Sequence, residues 1–170
     1  PDGKQADAKN QVKNRLRFQS FDDSFVAKEQ YAYLMDAPDN HPSAANYAMG
    51  VPAMAALDNG CLLVLEREFL VTPSKFGSYV ANKIYCVDPI QSMTISQDKV
   101  LDTNSPYMKK VLIATWKTSL SLFHQNLANY EGLCLGPRLM DGSQVIVLCA
   151  DSQDQYGGVL RDWFRTVVIR

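Results

Sequence analysis

Any chemistry in this sequence depends on carboxylates and one guanidinium. Glu66 and Arg67 end a predicted β-strand, and Glu131 and Asp151 lie at the open end of a second predicted hairpin. Carboxylate oxygens suit a hard cation such as Ca²⁺, and a guanidinium binds phosphate or carboxylate through two parallel hydrogen bonds. These residue types therefore predict a site for a cation or for an oxyanion.

A structural role for the same residues stays open. Acids at strand ends commonly cap backbone N–H groups, and Glu66 and Arg67 could form an ion pair between neighbouring sheets. Gln153 follows Asp151 in a polar loop, which is either solvated or in contact with a substrate.

Several common catalytic classes are excluded by missing motifs. The chain has two histidines, His41 and His124, and neither lies in an HExxH or cysteine-rich context. The nucleophile elbow GxSxG, the dinucleotide fingerprint GxGxxG and the P-loop are also missing. Enzymatic chemistry, if present, must come from carboxylates and basic residues.

Composition narrows the class of protein further. The 170 residues include 17 Lys+Arg and 18 Asp+Glu, a formal net charge of −1, whereas nucleic-acid binding normally needs a basic excess. No apolar run approaches the roughly 18 residues of a spanning helix. Because the first residue is Pro1, we expect that the natural start has been lost by processing, cloning or proteolysis. One domain is expected over residues 15–170, after a polar tail or ragged end at 1–14.

Hydrophobic residues recur mostly with a period of two, which predicts an all-β fold. A hairpin is predicted over residues 15–35, and the turns Asn59-Gly60 and Asp141-Gly142 each join two apolar strands. Residues 116–125 fit either a strand or a helical face, and we expect an irregular segment or one short helix there. The other strands are predicted at Lys83–Val87, Ser92–Ile95, Lys110–Thr115 and Thr166–Ile169.

Two segments share one pattern. At Val51–Glu66 and again at Glu131–Asp151, an apolar strand, a tight Gly-containing turn and a second apolar strand end in an acid. Either these are equivalent hairpins of a repeating fold with long inserted loops, or they are two unrelated hairpins of a sandwich.

Three short motifs stand out at strand ends. They are Leu63-Val64-Leu65-Glu66-Arg67, Asn129-Tyr130-Glu131-Gly132-Leu133 and Val147-Leu148-Cys149-Ala150-Asp151. Through these motifs the chain resembles, from about Arg15 to Val168, the phytase-like β-propeller domain of bacterial proteins described as having esterase-like activity. One departure is at Ala150-Asp151-Ser152-Gln153, where the family tends to have Ser/Thr-Asp-Asn.

The resemblance implies a partial β-propeller with antiparallel four-stranded blades. Residues 15–35 would be the two outer strands of one blade, 51–115 a complete blade, and 131–169 three strands of the last. About two blades plus a hairpin of a third form only the carboxyl-terminal part of a propeller. The expected partner is therefore the missing amino-terminal half or a second chain that completes the ring.

The resemblance also implies roles at a shared channel face. Glu131, Asp151 and Arg67 would be catalytic in the hydrolysis of phosphate or carboxylate esters, with Arg67 and Gln153 binding the substrate. Glu66, Glu131 and Asp151 would be the ligands of a cation such as Ca²⁺. The parent protein is expected to be secreted or periplasmic. The alternative is a non-catalytic propeller that binds a carbohydrate, a peptide or a protein.

The four cysteines all fall in predicted strands. A two-residue turn at Asp141-Gly142 places Cys134 opposite Cys149, which would allow a cross-strand disulfide in an oxidising compartment. The other interpretation is that Cys61, Cys86, Cys134 and Cys149 are free thiols that fill space between blades.

Overall fold

A computed structural model describes residues 14–38, 44–153 and 156–170. These residues form ten antiparallel strands and one short helix, which are joined by loops. The fold is all-β, as predicted. The strands are β1 (Arg15–Phe21), β2 (Ala27–Leu34), β3 (Asn46–Ala56), β4 (Leu62–Val71), β5 (Tyr79–Val87), β6 (Thr94–Ile95), β7 (Lys110–Ser119), β8 (Tyr130–Arg138), β9 (Gln144–Ala150) and β10 (Phe164–Ile169), with helix α1 at Tyr156–Val159.

The strands form three sheets, arranged as a partial propeller. A central sheet has the order β3-β4-β5-β7, and it is flanked by the sheets β1-β2-β6 and β8-β9-β10. The central sheet has the four strands predicted for a blade, whereas each flanking sheet has three. The central and third sheets agree with the predicted full blade and three-stranded blade, whereas β6 joins the hairpin predicted at 15–35 as a third strand.

Alternate residues of β4 point to opposite faces of the central sheet, and those on both faces are mostly buried. Val64 packs with Phe18 and Tyr33 of the first sheet. Leu63 and Leu65 pack with residues of β8 and β9. A near-continuous apolar run in β4 is therefore the signature of a strand between two sheets rather than of one with a solvated face.

The two glycine turns differ from the predicted geometry. Each hairpin closes through a three-residue loop, in which Gly60 and Gly142 have φ of +84° and +86°. The backbone pairs Leu57 N–Cys61 O and Leu139 N–Ser143 O flank these loops, both at 2.8 Å. A type I turn followed by a left-handed glycine gives this loop length.

The longer loops change the predicted register of both hairpins. A two-residue turn at Asn59-Gly60 would place Arg67 opposite Pro52, but a bulge adds to the shift and Arg67 lies opposite Gly50. Cys149 lies opposite Gly132, while Cys134 lies opposite Val147, so the register that favoured a Cys134–Cys149 disulfide is wrong. All four cysteines are free thiols in the structure.

Several strands are longer than their sequence patterns predicted. The loop between β4 and β5 spans only 72–78, because these strands continue to pair up to Leu70 and Tyr79. Residues 116–119 extend β7 along β5, whereas the sequence predicted an irregular segment or a short helix there. The predicted strand at Ser92–Ile95 is reduced to β6, which pairs with β2 of the neighbouring sheet.

The predicted tail falls almost entirely outside the described residues, since the description begins at Asn14. Asn14 itself is buried, and its carbonyl accepts a hydrogen bond from the backbone N–H of Met35 at 2.9 Å. Asn14, one residue before the predicted boundary, therefore belongs to the hydrogen-bonded part of the first sheet. In the described part of the chain, no helix is long and apolar enough to cross a membrane.

Candidate functional site

Arg67 joins the central sheet to β8 through a closed triangle of hydrogen bonds. Its Nη1 donates to Asn129 Oδ1 at 2.6 Å and to Glu131 Oε1 at 2.7 Å. Asn129 Nδ2 also donates to Glu131 Oε1, at 2.8 Å. One nitrogen of the guanidinium, an amide and one carboxylate oxygen are thus held in fixed relative positions.

A bulge in β8 makes this triangle possible. Tyr130 faces the central sheet, where its ring meets Trp116 edge-on at 5.5 Å between centroids. In a regular strand the next residue, Glu131, would point away from Arg67. The register between β8 and β9 shifts between Tyr130 and Gly132, and a bulge of this kind re-aims a side chain. Tyr130 and Glu131 therefore both contact the same face of the central sheet.

Arg67 retains unused hydrogen-bonding capacity. Its Nε is buried without a partner among the described residues. The same holds for Asn82 Oδ1 and Trp116 Nε1, and the three residues form one row across β4, β5 and β7. Burial lowers the pKa of the Arg67 guanidinium and the charge of Glu131 opposes this shift. The guanidinium stays charged at neutral pH.

Glu66, the residue before Arg67, lies on the opposite face of β4. Its side chain is 3% exposed. Oε1 accepts hydrogen bonds from the Tyr33 hydroxyl at 2.5 Å and from Lys110 Nζ at 2.6 Å. Oε2 accepts the backbone N–H of Asp36 at 3.1 Å. Both carboxylate oxygens of Glu66 are therefore occupied by protein donors.

Asp36 extends this network. Its Oδ1 accepts from Lys110 at 2.7 Å, and its Oδ2 accepts from Tyr85 at 2.7 Å and from Lys83. Burial alone would raise the pKa of Asp36, but the hydrogen bonds from the two lysines and Tyr85 lower it to about 2. Burial and the nearby carboxylates raise the pKa of the Tyr33 and Tyr85 hydroxyls, so both remain protonated donors.

A cleft of about 100 Å³ lies beside both groups of residues. Its volume suits a small polar group rather than a large organic ligand. The lining residues are Asp36, Ala37, Met49, Glu66, Arg67, Glu68, Ala81 and Lys83.

Asp151 and Gln153 lie at the edge of this region. The backbone N–H of Asp151 donates to the carbonyl of Asn129 at 2.8 Å, which places Asp151 at the open end of the β8–β9 hairpin. Its carboxylate is exposed, and Oδ1 accepts the N–H of Gln153 at 2.8 Å. Gln153 is also exposed and has a left-handed backbone with φ of 50°. The Asp151 carboxylate thus caps its own turn.

The structure brings together only part of the predicted set. Arg67 and Glu131 are in contact, but Glu66 faces the other side of β4 and the Asp151 side chain points into its own turn. Because consecutive residues of a strand point to opposite faces, the side chains of Glu66 and Arg67 bind different partners, and the four side chains do not form one hydrogen-bonded cluster. The described residues contain no group of three or more His, Cys, Asp or Glu side chains that could hold a metal ion.

Glu66, Glu131 and Asp151 consequently do not fit as joint ligands of one Ca²⁺ ion. A calcium site needs six to eight oxygens within about 2.6 Å of the ion. Two of these three carboxylates are already bound by basic side chains, and the third caps a turn.

Several residues of the site escaped the sequence analysis. Lys83 was an available signal, since it interrupts an otherwise apolar strand and lies opposite Glu66. Asp36 and Lys110 lie next to loops, and nothing in their local sequence connects them. Asn129 belongs to a quoted motif, but only the bulge explains why it contacts Arg67.

Comparison with known proteins identifies the family. A family model described as phytase-like, with the esterase-like activity of phytase, matches residues 2–153. Separate searches of curated proteins and of solved structures found no match. The matched segment covers most of the chain and contains Arg67, Asn129, Glu131 and Asp151. The chain therefore belongs to the phytase-like family.

Proposed function

We propose that this phytase-like domain hydrolyses phosphate or carboxylate esters at the Arg67–Glu131 pair. The observation that supports the proposal is the placement of the guanidinium. Asn129 and Glu131 hold Nη1 in a fixed position, and Arg67 lines the cleft of about 100 Å³. A charged donor fixed at the wall of a cleft is suited to stabilising an oxyanion.

Glu131 provides the complementary chemistry. One third of its side chain is exposed, and its hydrogen bonds to Arg67 and Asn129 use only Oε1. Oε2 would orient a water molecule and accept its proton as that water attacks the ester. Negative charge then develops on the carbonyl or phosphoryl oxygen, next to Arg67. The bond to the ester oxygen breaks, and the departing alcohol takes the proton back from Glu131. Asp151 would act as a second carboxylate at the edge of the site, and Gln153 would contact the substrate.

That Ca²⁺ assists the reaction stays a prediction, and the positions of the predicted ligands restrict it. Because the three predicted ligands do not converge, no step of this reaction is assigned to a cation. A stimulation by Ca²⁺ would have to use Asp151 together with residues outside the set predicted from the sequence.

The test compares the protein with Glu131→Gln on a generic phosphomonoester and on a short acyl ester, each with Ca²⁺ and with a chelator. We expect turnover to fall by roughly 10²-fold or more, as for loss of a general base. Arg67→Lys should also lower turnover, since a lysine cannot reproduce the planar donor geometry. Glu29→Gln changes an exposed glutamate on β2 and serves as the matched control. Unchanged turnover in Glu131→Gln would refute the catalytic assignment.

One observation favours a non-catalytic alternative. Glu66, Arg67 and Glu131 all make hydrogen bonds within the protein, which is what structural contacts between blades require. On this alternative the domain binds a carbohydrate, a peptide or a protein through the same face. Absence of turnover on both ester classes, with retained binding of such a ligand, would support it.

The remaining expectations on partners and location accompany this proposal. β10 is an outer strand of a three-stranded sheet, whereas the central sheet has four strands. We propose that a further strand, from the other half of the propeller or from a second chain, pairs with β10. A secreted or periplasmic location stays a prediction.

A further inference from the structure

Two loops at one end of the central sheet form a single exposed tip. Loop 72–78 connects β4 to β5, and loop 120–129 connects β7 to β8. Gly77 N donates to Leu120 O at 2.8 Å, and Leu120 N donates to Ser78 O at 2.9 Å. Backbone hydrogen bonds thus join the two loops, so their side chains keep a defined arrangement.

Large apolar side chains project from this tip. Phe76 is 57% exposed, Leu122 80% and Phe123 90%. A backbone bond from Ser121 N to His124 O, 2.6 Å long, closes the turn that carries Leu122 and Phe123. Three clustered, exposed apolar residues on preformed loops are unusual for a surface that faces only water. We call Phe76, Leu122 and Phe123 the apolar tip.

The two segments that carry the apolar tip contain basic residues. Residues 72–78 and 117–126 contain Lys75, Lys117 and His124, and they contain no aspartate or glutamate. The ammonium of Lys117 lies 3.4 Å from the centroid of the Tyr79 ring. This combination of apolar anchors and lysines matches the surface of an anionic bilayer, which attracts lysines and accepts aromatic side chains at its interface.

A second exposed apolar turn in the molecule has the opposite charge. Phe25 is 87% exposed in the β1–β2 turn, but Asp22 and Asp23 lie next to it. Acidic residues at that position would be repelled by anionic headgroups. The molecule therefore contains an internal control for the effect of charge on an exposed phenylalanine.

We propose that the apolar tip docks this domain on an anionic lipid surface. Phe76, Leu122 and Phe123 enter the headgroup region, and Lys75 and Lys117 pair with anionic headgroups. Since β4 runs from Arg67 directly into loop 72–78, docking places the Arg67 end of the central sheet toward the lipid. The proposal does not require the domain to be an enzyme.

The test measures sedimentation of the full chain with vesicles of phosphatidylcholine alone and of phosphatidylcholine mixed with phosphatidylglycerol. We expect binding to the mixed vesicles that weakens with added salt, and little binding to phosphatidylcholine alone. In Leu122→Ser with Phe123→Ser, the partition coefficient should fall by roughly tenfold for each side chain removed. In Lys75→Gln with Lys117→Gln, it should fall roughly fivefold per lysine, on mixed vesicles only.

Phe25→Ser is the matched control and should bind like the parent, with folding of all variants checked by circular dichroism. The proposal is overturned if the parent fails to bind mixed vesicles, or if Phe25→Ser reduces binding as much as the tip variants do. It is also overturned if the apolar tip instead joins two copies of the chain. Analytical ultracentrifugation would then show a dimer that the Leu122 and Phe123 substitutions abolish, without vesicle binding.

Discussion

Glu66 and Arg67 are consecutive residues of β4, yet they belong to two differently organised polar groups. On one face, Glu66, Tyr33, Asp36 and Lys110 form a network in which both carboxylates have all their oxygens bonded. On the other face, Arg67 is held by Asn129 and Glu131 through a single nitrogen, with its Nε unpartnered among the described residues.

The comparison separates contacts that only stabilise the fold from contacts that leave a group available for binding or catalysis. A buried charge with every lone pair satisfied holds two sheets together and has no capacity left for a ligand. A buried charged group with unpaired hydrogen-bond donors lowers the free energy of unfolding. Such groups are typical of binding and catalytic sites. On this argument Glu66 is a structural residue, and Arg67 is the better candidate for function.

The largest expected effect on stability comes from Glu66→Gln. The amide keeps the shape of the side chain but removes the charge beside Lys110 and brings an N–H toward donors such as the Tyr33 hydroxyl. Loss of one partner of a buried ion pair costs about 3 kcal/mol or more. Urea unfolding at pH 7 measures the change. If Glu131→Gln destabilises the protein as much as Glu66→Gln does, the two faces are not organised differently.

Acid should weaken the Glu66 face selectively. The pKa of Asp36 lies near 2 in the folded protein, below its ordinary value of 3.8. A depressed folded-state pKa means that ionised Asp36 stabilises the fold above about pH 4 and that this contribution is lost as the pH falls toward 2. Urea midpoints measured across this range should fall in the parent. They should fall less in Asp36→Asn, and equal slopes would contradict the assignment.

Asn129→Ala tests the other face with a smaller expected effect. Asn129 is fully buried, and its removal leaves Arg67 Nη1 with Glu131 alone. We expect a loss of about 1–2 kcal/mol in the free energy of unfolding, because the guanidinium loses one hydrogen bond but keeps its ion pair. A loss as large as that of Glu66→Gln would show that the Arg67 group is mainly a structural contact.

Arg138→Ala should have the smallest effect. Arg138 Nη2 lies 2.7 Å from Asp58 Oδ2, and this pair also connects the central sheet to the third sheet. Both side chains are largely exposed, so we expect a change of about 0.5 kcal/mol or less that vanishes at high salt. Thermal unfolding at low and high salt measures it. A larger effect would mean that contacts between these sheets matter irrespective of burial.

Much of the fold was predictable from local patterns. The alternation in residues 15–35 and the two glycine turns predicted hairpins that the structure contains. The ends of strands were harder to predict, because Glu68 and Trp116 lie in segments without clear alternation. These segments become part of β4 and β7 through pairing with β5. Pairing partners far along the chain override weak local preferences.

About half of the candidate site was predictable. The resemblance and the hairpin ends pointed to Arg67 and Glu131, which do meet. Asp36 and Lys110 were not identified, since they reach Glu66 from positions 30 and 44 residues away. No local pattern encodes a contact between such distant residues.

What the sequence by itself determined is the all-β class, the hairpins and the presence of acids and an arginine near strand ends. Period-two alternation and glycines that tolerate positive φ are local properties and can be read from neighbouring residues. Only the tertiary structure decided which charges meet. A three-residue turn and a bulge shift the register, and each shift moves a side chain to another partner or to the other face of a sheet.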